Sequence, residues 1–371
     1  MRLACCNSFV LFLALPVLAW PQQADVPEKP ATQPDAQPAP QVPPLTLRPA
    51  VEPTAAKGRI NLDVVVTDKS GKPVSGLELK DFTLLDDKQP AKILSFRSFG
   101  GTAPSGGPPV EITLLLDTVN LGFGAVARTR LDIGRFLRQN GGHLAHPVSI
   151  FGFSDGGVKV LSQPSMDGTA LAAQLDQSEA SLRALRRSEG VYGAIERFQL
   201  SIRSLMAIAQ SESKWPGRKL LIWVGPGWPM FDSPNIDTSS KDQQQLFASI
   251  VQLSTTLRES HISLYSVSMG DPGVGTYLYK DFLKGVPTAE KANPSNLSLK
   301  VLAIQSGGRV LNPDNDLTAQ IDSCVQDAGA FYTLSFDPPR ADKPDEYHDL
   351  KIVVSQSGLT ARTNAGYYNQ P

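Results

Sequence analysis

Cysteine is nearly absent from the 371 residues: Cys5, Cys6 and Cys324 are the only three. The first two lie in an N-terminal segment built like a cleaved leader, so the processed chain keeps Cys324 alone and forms no internal disulfide. Charge of one sign is lacking as well, since 35 Lys and Arg against 36 Asp and Glu leave a net charge of −1. A nucleic-acid or polyanion binder carries a basic excess gathered on one face, and this balance argues against one. Long apolar runs are also missing. The N-terminal stretch falls short of the roughly 20 residues that span a bilayer, and no later segment approaches that length. Disorder throughout is excluded by an ordinary apolar content of 41%.

Residues 1–19 combine a basic start at Arg2, an apolar core over Phe9–Leu15 and the small-residue ending Val17-Leu18-Ala19. This predicts a secretory signal peptide cut before Trp20, and hence a secreted or periplasmic protein without a transmembrane segment after cleavage. An uncleaved N-terminal anchor is the alternative. A lipoprotein signal does not fit, because Cys5 and Cys6 precede the apolar core. Ten of the 30 prolines fall between Pro21 and Pro53. The Pro/Gln/Ala tract over 20–57 therefore reads as a stiffened, disordered spacer.

From Arg59 the pattern changes. Ile60, Leu62, Val64 and Val66 alternate in the period of a half-buried strand, Asp68–Pro73 forms a turn, and Phe82–Leu85 and Ile93–Phe96 read as further strands. The chain end matches, with strands at Phe331–Phe336, Leu350–Val354 and Leu359–Thr363. Neither set can build a core alone. The segments 58–100 and 331–371 are therefore expected to pair as one small antiparallel β-sandwich, with a domain over 110–328 inserted between them. Two separate β-appendages are the alternative.

In that central region, compact apolar runs at Val110–Leu116, Val148–Phe153, Lys219–Val224 and Ile262–Ser268 alternate with amphipathic helices. One helix carries Ile195, Phe198, Ile202, Leu205 and Ala209 on a stripe, and another carries Leu246, Ile250, Leu253 and Leu257. The expected fold class is α/β, a doubly wound, mainly parallel sheet covered on both faces, with ligands at the carboxyl ends of its strands. Cys324 recurs at helical spacing with Leu317, Ile321, Val325 and Ala328, which makes it a core thiol.

Several pieces together resemble the von Willebrand factor type A family, and more narrowly the VWFA-related proteins exported by acidobacteria. They are Val64–Val74 with Gly76-Leu77 and Asp81-Phe82, Leu114–Thr118, Arg218–Val224 followed by Gly225–Pro229, Leu302-Ala303 with Gly307–Arg309, and Gly366-Tyr367-Tyr368. The resemblance covers about 58–371. It implies a type A domain with a divalent cation at the top of the sheet, held by an Asp-x-Ser-x-Ser loop, a Thr on a second loop and an Asp on a third. Here Asp117 matches the first position, whereas Val119 and Leu121 replace both serines. Glu189 falls nearest the Thr, and Gly225 falls near the third-loop Asp. The metal candidates of this degenerate site are thus Asp117, Asn120 and Glu189, few oxygens for a cation that prefers six. No cofactor is expected, with Mg²⁺ or Mn²⁺ the ions such a site would take if complete. The same loops carry Leu121, Phe123, Trp228, Met230 and Phe231. An apolar face there, led by Phe123, Trp228 and Phe231, would contact a protein partner without metal. The equally open alternative is that these residues cover the domain from within.

Other motifs weigh less. Gly152-Phe153-Ser154-Asp155-Gly156 matches a nucleophile elbow, but Val158–Leu161 after it reads as a strand and not the helix an elbow needs. Gly122-Phe123-Gly124-Ala125-Val126-Ala127 matches a dinucleotide fingerprint, but stands five residues too far from its strand. His143 and His146, between Gly141-Gly142 and Pro147, read as solvated loop residues. Arg183, Arg186 and Arg187, with Glu179 and Glu189, read as a solvated helix face. The sequence reading is an exported, non-catalytic protein-binding module for adhesion or envelope scaffolding, with an exported serine hydrolase using Ser154 as the alternative.

Overall fold

The computed structural model describes residues 58–100, 110–178, 190–230, 239–269, 278–311 and 316–371, all inside a compact unit spanning Pro49–Pro371. The expected leader and Pro-rich tract, Glu179, Arg183, Arg186, Arg187, Glu189 and Phe231 lie outside the described residues. The N-terminal flank holds strands β1 (Ile60–Thr67), β2 (Phe82–Asp86), β3 (Gln89–Ala91) and β4 (Ser95–Phe99). The central region runs through β5 (Val110–Asp117), α1 (Phe123–Leu137), β6 (His143–Ser154), β7 (Gly157–Asp167), α2 (Gly168–Gln177) and α3 (Gly190–Glu212). It continues with β8 (Arg218–Val224), α4 (Ser240–Glu259), β9 (Ile262–Val267), α5 (Leu299–Gln305) and α6 (Leu317–Val325). The C-terminal flank holds β10 (Phe331–Phe336), β11 (Glu346–Val354), β12 (Thr360–Arg362) and β13 (Gly366–Asn369).

The two flanks pair as the alternation and core-size arguments require. β1 lies between β10 and β12, in register from Ile60↔Phe336 to Val64↔Tyr332 and then Val65↔Arg362, which gives the sheet order β12-β1-β10-β4. The second sheet, β13-β11-β2-β3, sets β2 of the first flank against β11 of the last. Inward positions of the two sheets, Leu62, Val64, Val66, Phe82, Leu84, Tyr332, Leu334, Phe336 and Ile352, share one core. Phe82 and Tyr332 meet with ring centroids 4.9 Å apart.

The inserted layer is a five-stranded sheet of order β7-β6-β5-β8-β9, parallel except for the antiparallel edge strand β7. Both faces are buried, which is why its strands read as unbroken apolar runs. Even-numbered residues such as Leu114, Leu116, Leu220 and Ile222 pack toward α1, α2 and α6, where Cys324 is fully buried. Odd-numbered ones such as Leu115, Phe151, Phe153, Leu221 and Trp223 pack toward α3, α4 and α5. Along the α3 stripe burial deepens toward the C-terminus: Ile195 is exposed, Phe198 and Ile202 pack partly buried against this core, and Leu205 and Ala209 are buried.

One expectation fails here. His143 and His146 lie within β6, not in a loop. Pro147, which cannot donate to a ladder, sits where the β6–β7 register shifts between His143 and Val148, and such an irregularity tolerates it. His143 is exposed and His146 half-buried, its imidazole held below the usual range by burial and then by Arg218.

Polar contacts tie the sandwich to the inserted layer. The buried Asp327 carboxylate accepts from Tyr265 Oη at 2.9 Å and from Arg362 Nη2 on β12 at 2.8 Å. Arg218 Nη1 donates to the Asp327 carbonyl at 2.6 Å. His261 Nδ1 stands 2.9 Å from Asp63 of β1. Among the described residues no helix is long and apolar enough to cross a membrane.

Candidate functional site

The chain leaves β5 for β6 on one side of the sheet and later places β8 on the other side. The strand order therefore reverses between β5 and β8, and their carboxyl ends mark the crevice where open α/β sheets bind ligands. Asp117 closes β5 at that point and is fully buried. Being odd-numbered, it faces the same side as Trp223 of β8.

Each oxygen of this carboxylate accepts two hydrogen bonds. Asp117 Oδ1 accepts the backbone N–H groups of Val119 at 2.9 Å and Asn120 at 2.8 Å. Oδ2 accepts Asn120 Nδ2 and Trp223 Nε1, each at 2.9 Å. Burial pushes the Asp117 carboxyl above the usual carboxylate range, and the Trp223, Asn120 and Val119 donors pull against that. Asn120 Nδ2 also reaches Ser201 Oγ on α3 at 3.3 Å, which anchors the loop to the helix layer.

The cation that the type A resemblance implies does not fit this arrangement. A hard cation needs oxygen lone pairs, and those of Asp117 receive N–H donors. Val119, at the first serine position, is buried, and Leu121, at the second, packs against the core around α1. At the third-loop position, a Cβ on Gly225 would lie 2.7 Å from Asp117 Cβ and 3.2 Å from its Oδ2, so no aspartate fits there. Asp117 and Asn120 do come together, but as a hydrogen-bonded knot; Glu189 lies outside the described residues.

Trp228 requires a correction. It is buried at 4% exposure, donates its Nε1 to the Leu297 carbonyl at 2.8 Å and meets Trp223 edge-on with centroids 5.1 Å apart. Gly227, at φ +80°, turns the chain inward against Leu299. Trp228 is thus a lid on the crevice from within and not a surface anchor. Phe123, by contrast, is 76% exposed at the first turn of α1, at the carboxyl end of the sheet. Sequence reading missed Tyr192, 82% exposed at the first turn of α3. α3 runs back toward the start of β8, so its first turn lies at the same end of the sheet. No sequence signal marked it: Ile195 continues the apolar stripe of Phe198, Ile202 and Leu205, and only the structure shows the first turn exposed.

Ser154 ends β6 and pairs with Gly157 across a tight hairpin, its Oγ 3.5 Å from the Gly157 carbonyl. The next element is β7 and not a helix. Two histidines that could serve it, His261 and His348, are engaged elsewhere. His261 precedes β9, at the amino end of the sheet, and is paired with Asp63; His348 is in the sandwich, 3.0 Å from Asp86. Gly122 is the N-cap of α1, well past the end of β5, and does not close that strand as a dinucleotide loop would.

No family model matches this chain. No curated protein matches it either. Among solved structures it is similar to the manganese-loaded TRAP protein of Plasmodium vivax, at 10% identity, 73% of this chain, 97% of that one and TM-score 0.33. It is also similar to the VWA domain of SpRpn10, at 11% identity, 58% and 93% coverage and TM-score 0.25. The pilus adhesin SpaC of Lactobacillus rhamnosus GG matches at 10% identity and TM-score 0.34; the match covers 80% of this chain and about half of the adhesin, 48%. The inserted layer is a doubly wound α/β sheet of order β7-β6-β5-β8-β9, with Asp117 at the carboxyl end of its central strand.

Proposed function

We propose that this chain is an exported, non-catalytic protein-binding module that meets its partner at the carboxyl end of the parallel sheet without a metal. The observation that carries the reading is a contrast within one end of the fold. The polar crevice is sealed by Trp223, Trp228 and Gly225, while Phe123 and Tyr192 stand 76% and 82% exposed beside it. Exposed aromatics are the usual anchors of protein interfaces. Support for export comes from the leader-like segment 1–19, and a correct reading predicts a mature N-terminus at Trp20.

The test is photo-crosslinking from positions 123 and 192 in the native cells, with Leu79 on the sandwich, 46% exposed, as the control site. The partner recovered at 123 or 192 is then purified and its affinity measured against Phe123→Ser and Tyr192→Ser. Truncating an interface anchor costs about 2 kcal/mol, close to thirtyfold in Kd. A partner that crosslinks equally from Leu79, or binds both variants as well as the parent, overturns the reading. Ester-hydrolysing activity lost in Ser154→Ala would replace it with the hydrolase.

A further inference from the structure

Away from the sheet crevice, three side chains of the sandwich converge: Asp86 at the end of β2, Asp87 in the turn to β3, and His348 of β11. Their ligand atoms all lie within 4.8 Å of one another. His348 Nδ1 stands 3.0 Å from Asp86 Oδ1 and 3.3 Å from Asp87 Oδ2. That nitrogen has one proton at most, so it serves one of the two oxygens and leaves the other facing it without a donor.

The far oxygens are held from outside the trio. Tyr367 Oη donates to Asp86 Oδ2 at 2.8 Å, and the Asp349 backbone N–H donates to Asp87 Oδ1 at 2.9 Å. Tyr367 also stacks on the His348 ring, centroids 4.9 Å apart. Each carboxylate is thus fixed from behind with its other oxygen turned inward, the way outer partners orient the ligands of a metal. Asp86 and His348 are each 8% exposed, whereas Asp87 is open to solvent and gives a path of entry.

We propose that Asp86, Asp87 and His348 form a binding site for a divalent transition metal, zinc above all, with one coordination position left open on the Asp87 side. Bonds of roughly 2.0–2.2 Å from a tetrahedral zinc set its ligands roughly 3.4 Å apart, so the two short spacings need to open by only a few tenths of an ångström. Mg²⁺ or Ca²⁺ would demand six or more oxygens and gain little from imidazole. Coordination through Nδ1 requires the neutral tautomer with its one ring proton on Nε2, so a proton that sits on Nδ1 before the metal binds moves to Nε2. Nε2 is buried without a hydrogen-bond partner, so the site binds metal more weakly, by about 10–100-fold, than one whose histidine is supported from behind. The occupied site clips the β2–β3 turn of the first flank to β11 of the last, and its open position takes water or a side chain from a partner.

The experiment is a zinc titration of the purified full chain against a chromophoric chelator, with cobalt substitution to read coordination from its visible absorption. One zinc per chain, a tetrahedral cobalt spectrum and a rise in Tm with zinc are expected. Asp87→Asn, on the exposed ligand, should bind about tenfold or more weakly with an unchanged circular dichroism spectrum, and His348→Gln should lose the site. Absence of stoichiometric binding, or zinc affinity that is the same in Asp87→Asn as in the parent, overturns the proposal. If His348→Gln fails to fold, Asp87→Asn alone decides.

Discussion

Replacing Trp223 by Phe tests whether the Asp117 knot holds the sheet crevice closed. The substitution keeps an aromatic ring near Phe153 and Trp228 but removes the N–H that reaches Asp117 Oδ2 at 2.9 Å. A hydrogen bond to a buried charged group contributes about 1.5–3 kcal/mol. Lost apolar burial from the smaller ring adds about 1 kcal/mol. The expected destabilisation is therefore about 3 kcal/mol at neutral pH, and its pH dependence separates the two parts. Burial raises the Asp117 carboxyl above its unfolded value, so between the two values the folded state binds more protons. Stability then falls as pH rises through that window, and acidification relieves the cost. Trp223 is the foremost of the groups that pull the value down, so its loss widens the window upward. The apolar part of the loss does not depend on pH. Urea denaturation followed by circular dichroism from pH 4.5 to 8 should therefore show a parent–variant gap that narrows on acidification. A gap constant across that range would refute the claim that the indole serves a buried carboxylate.

Other substitutions check separate parts of the structure. Trp228→Ala should destabilise by about 3–5 kcal/mol, as truncation of a buried aromatic does; Phe123→Ser should stay within about 0.5 kcal/mol in the same denaturation assay. His261 titrates above its usual range, chiefly through the Asp63 charge. The stability from that pair is thus complete below the unfolded histidine value and lost as pH rises through the folded one, a slope that Asp63→Asn should remove from the Tm profile. Arg362→Ala leaves the buried Asp327 carboxylate to Tyr265 and Arg309 and should cost about 1.5–3 kcal/mol in chemical denaturation, the worth of one hydrogen bond to a charged group. Burial pushes the Cys324 thiol up to about 12, so a thiol reagent should label it only in denaturant.

The fold was largely legible because its signals are local or arithmetical. Alternation at Ile60–Val66 marks a half-buried strand, unbroken runs at Val110–Leu116 and Lys219–Val224 mark strands covered on both faces, and two flanks too small for separate cores must share one. The site was less legible because its decisive contacts are distant in sequence. Nothing beside Trp228 announces that Leu297 will accept its indole N–H, or that Leu299 will pack under Gly227. Pro147 suggested a loop around His146, since a ladder interruption that admits proline is set by the partner strand β7 and not by local residues. One hidden contact could have been found. In the parallel pairing Leu115↔Trp223, odd-numbered residues share a face, and Asp117 two places on stands diagonally within reach of an indole donor.

Asp117 and Gly225 together explain why the crevice keeps an acidic residue without a cation. A carboxylate at the end of β5 points where strand order reverses, and burying it unpaired would be costly. Two remedies exist, a metal with oxygen ligands from neighbouring loops, or N–H donors. This chain takes the second: Val119 and Leu121 at the serine positions enter the cores, the backbone of Val119 and Asn120 supplies two donors, and Trp223 and Asn120 supply the rest. The Asp117 side chain so held lies close enough to β8's end that only glycine fits opposite, at 225. Restoring serines at 119 and 121 should therefore not recover metal binding, because the Trp223 indole and the missing third-loop carboxylate still stand in the way. A quadruple variant that also carried Trp223→Phe and Gly225→Asp would have to reopen the loop, and calorimetry with Mn²⁺ should find in neither variant any binding beyond what the parent chain shows.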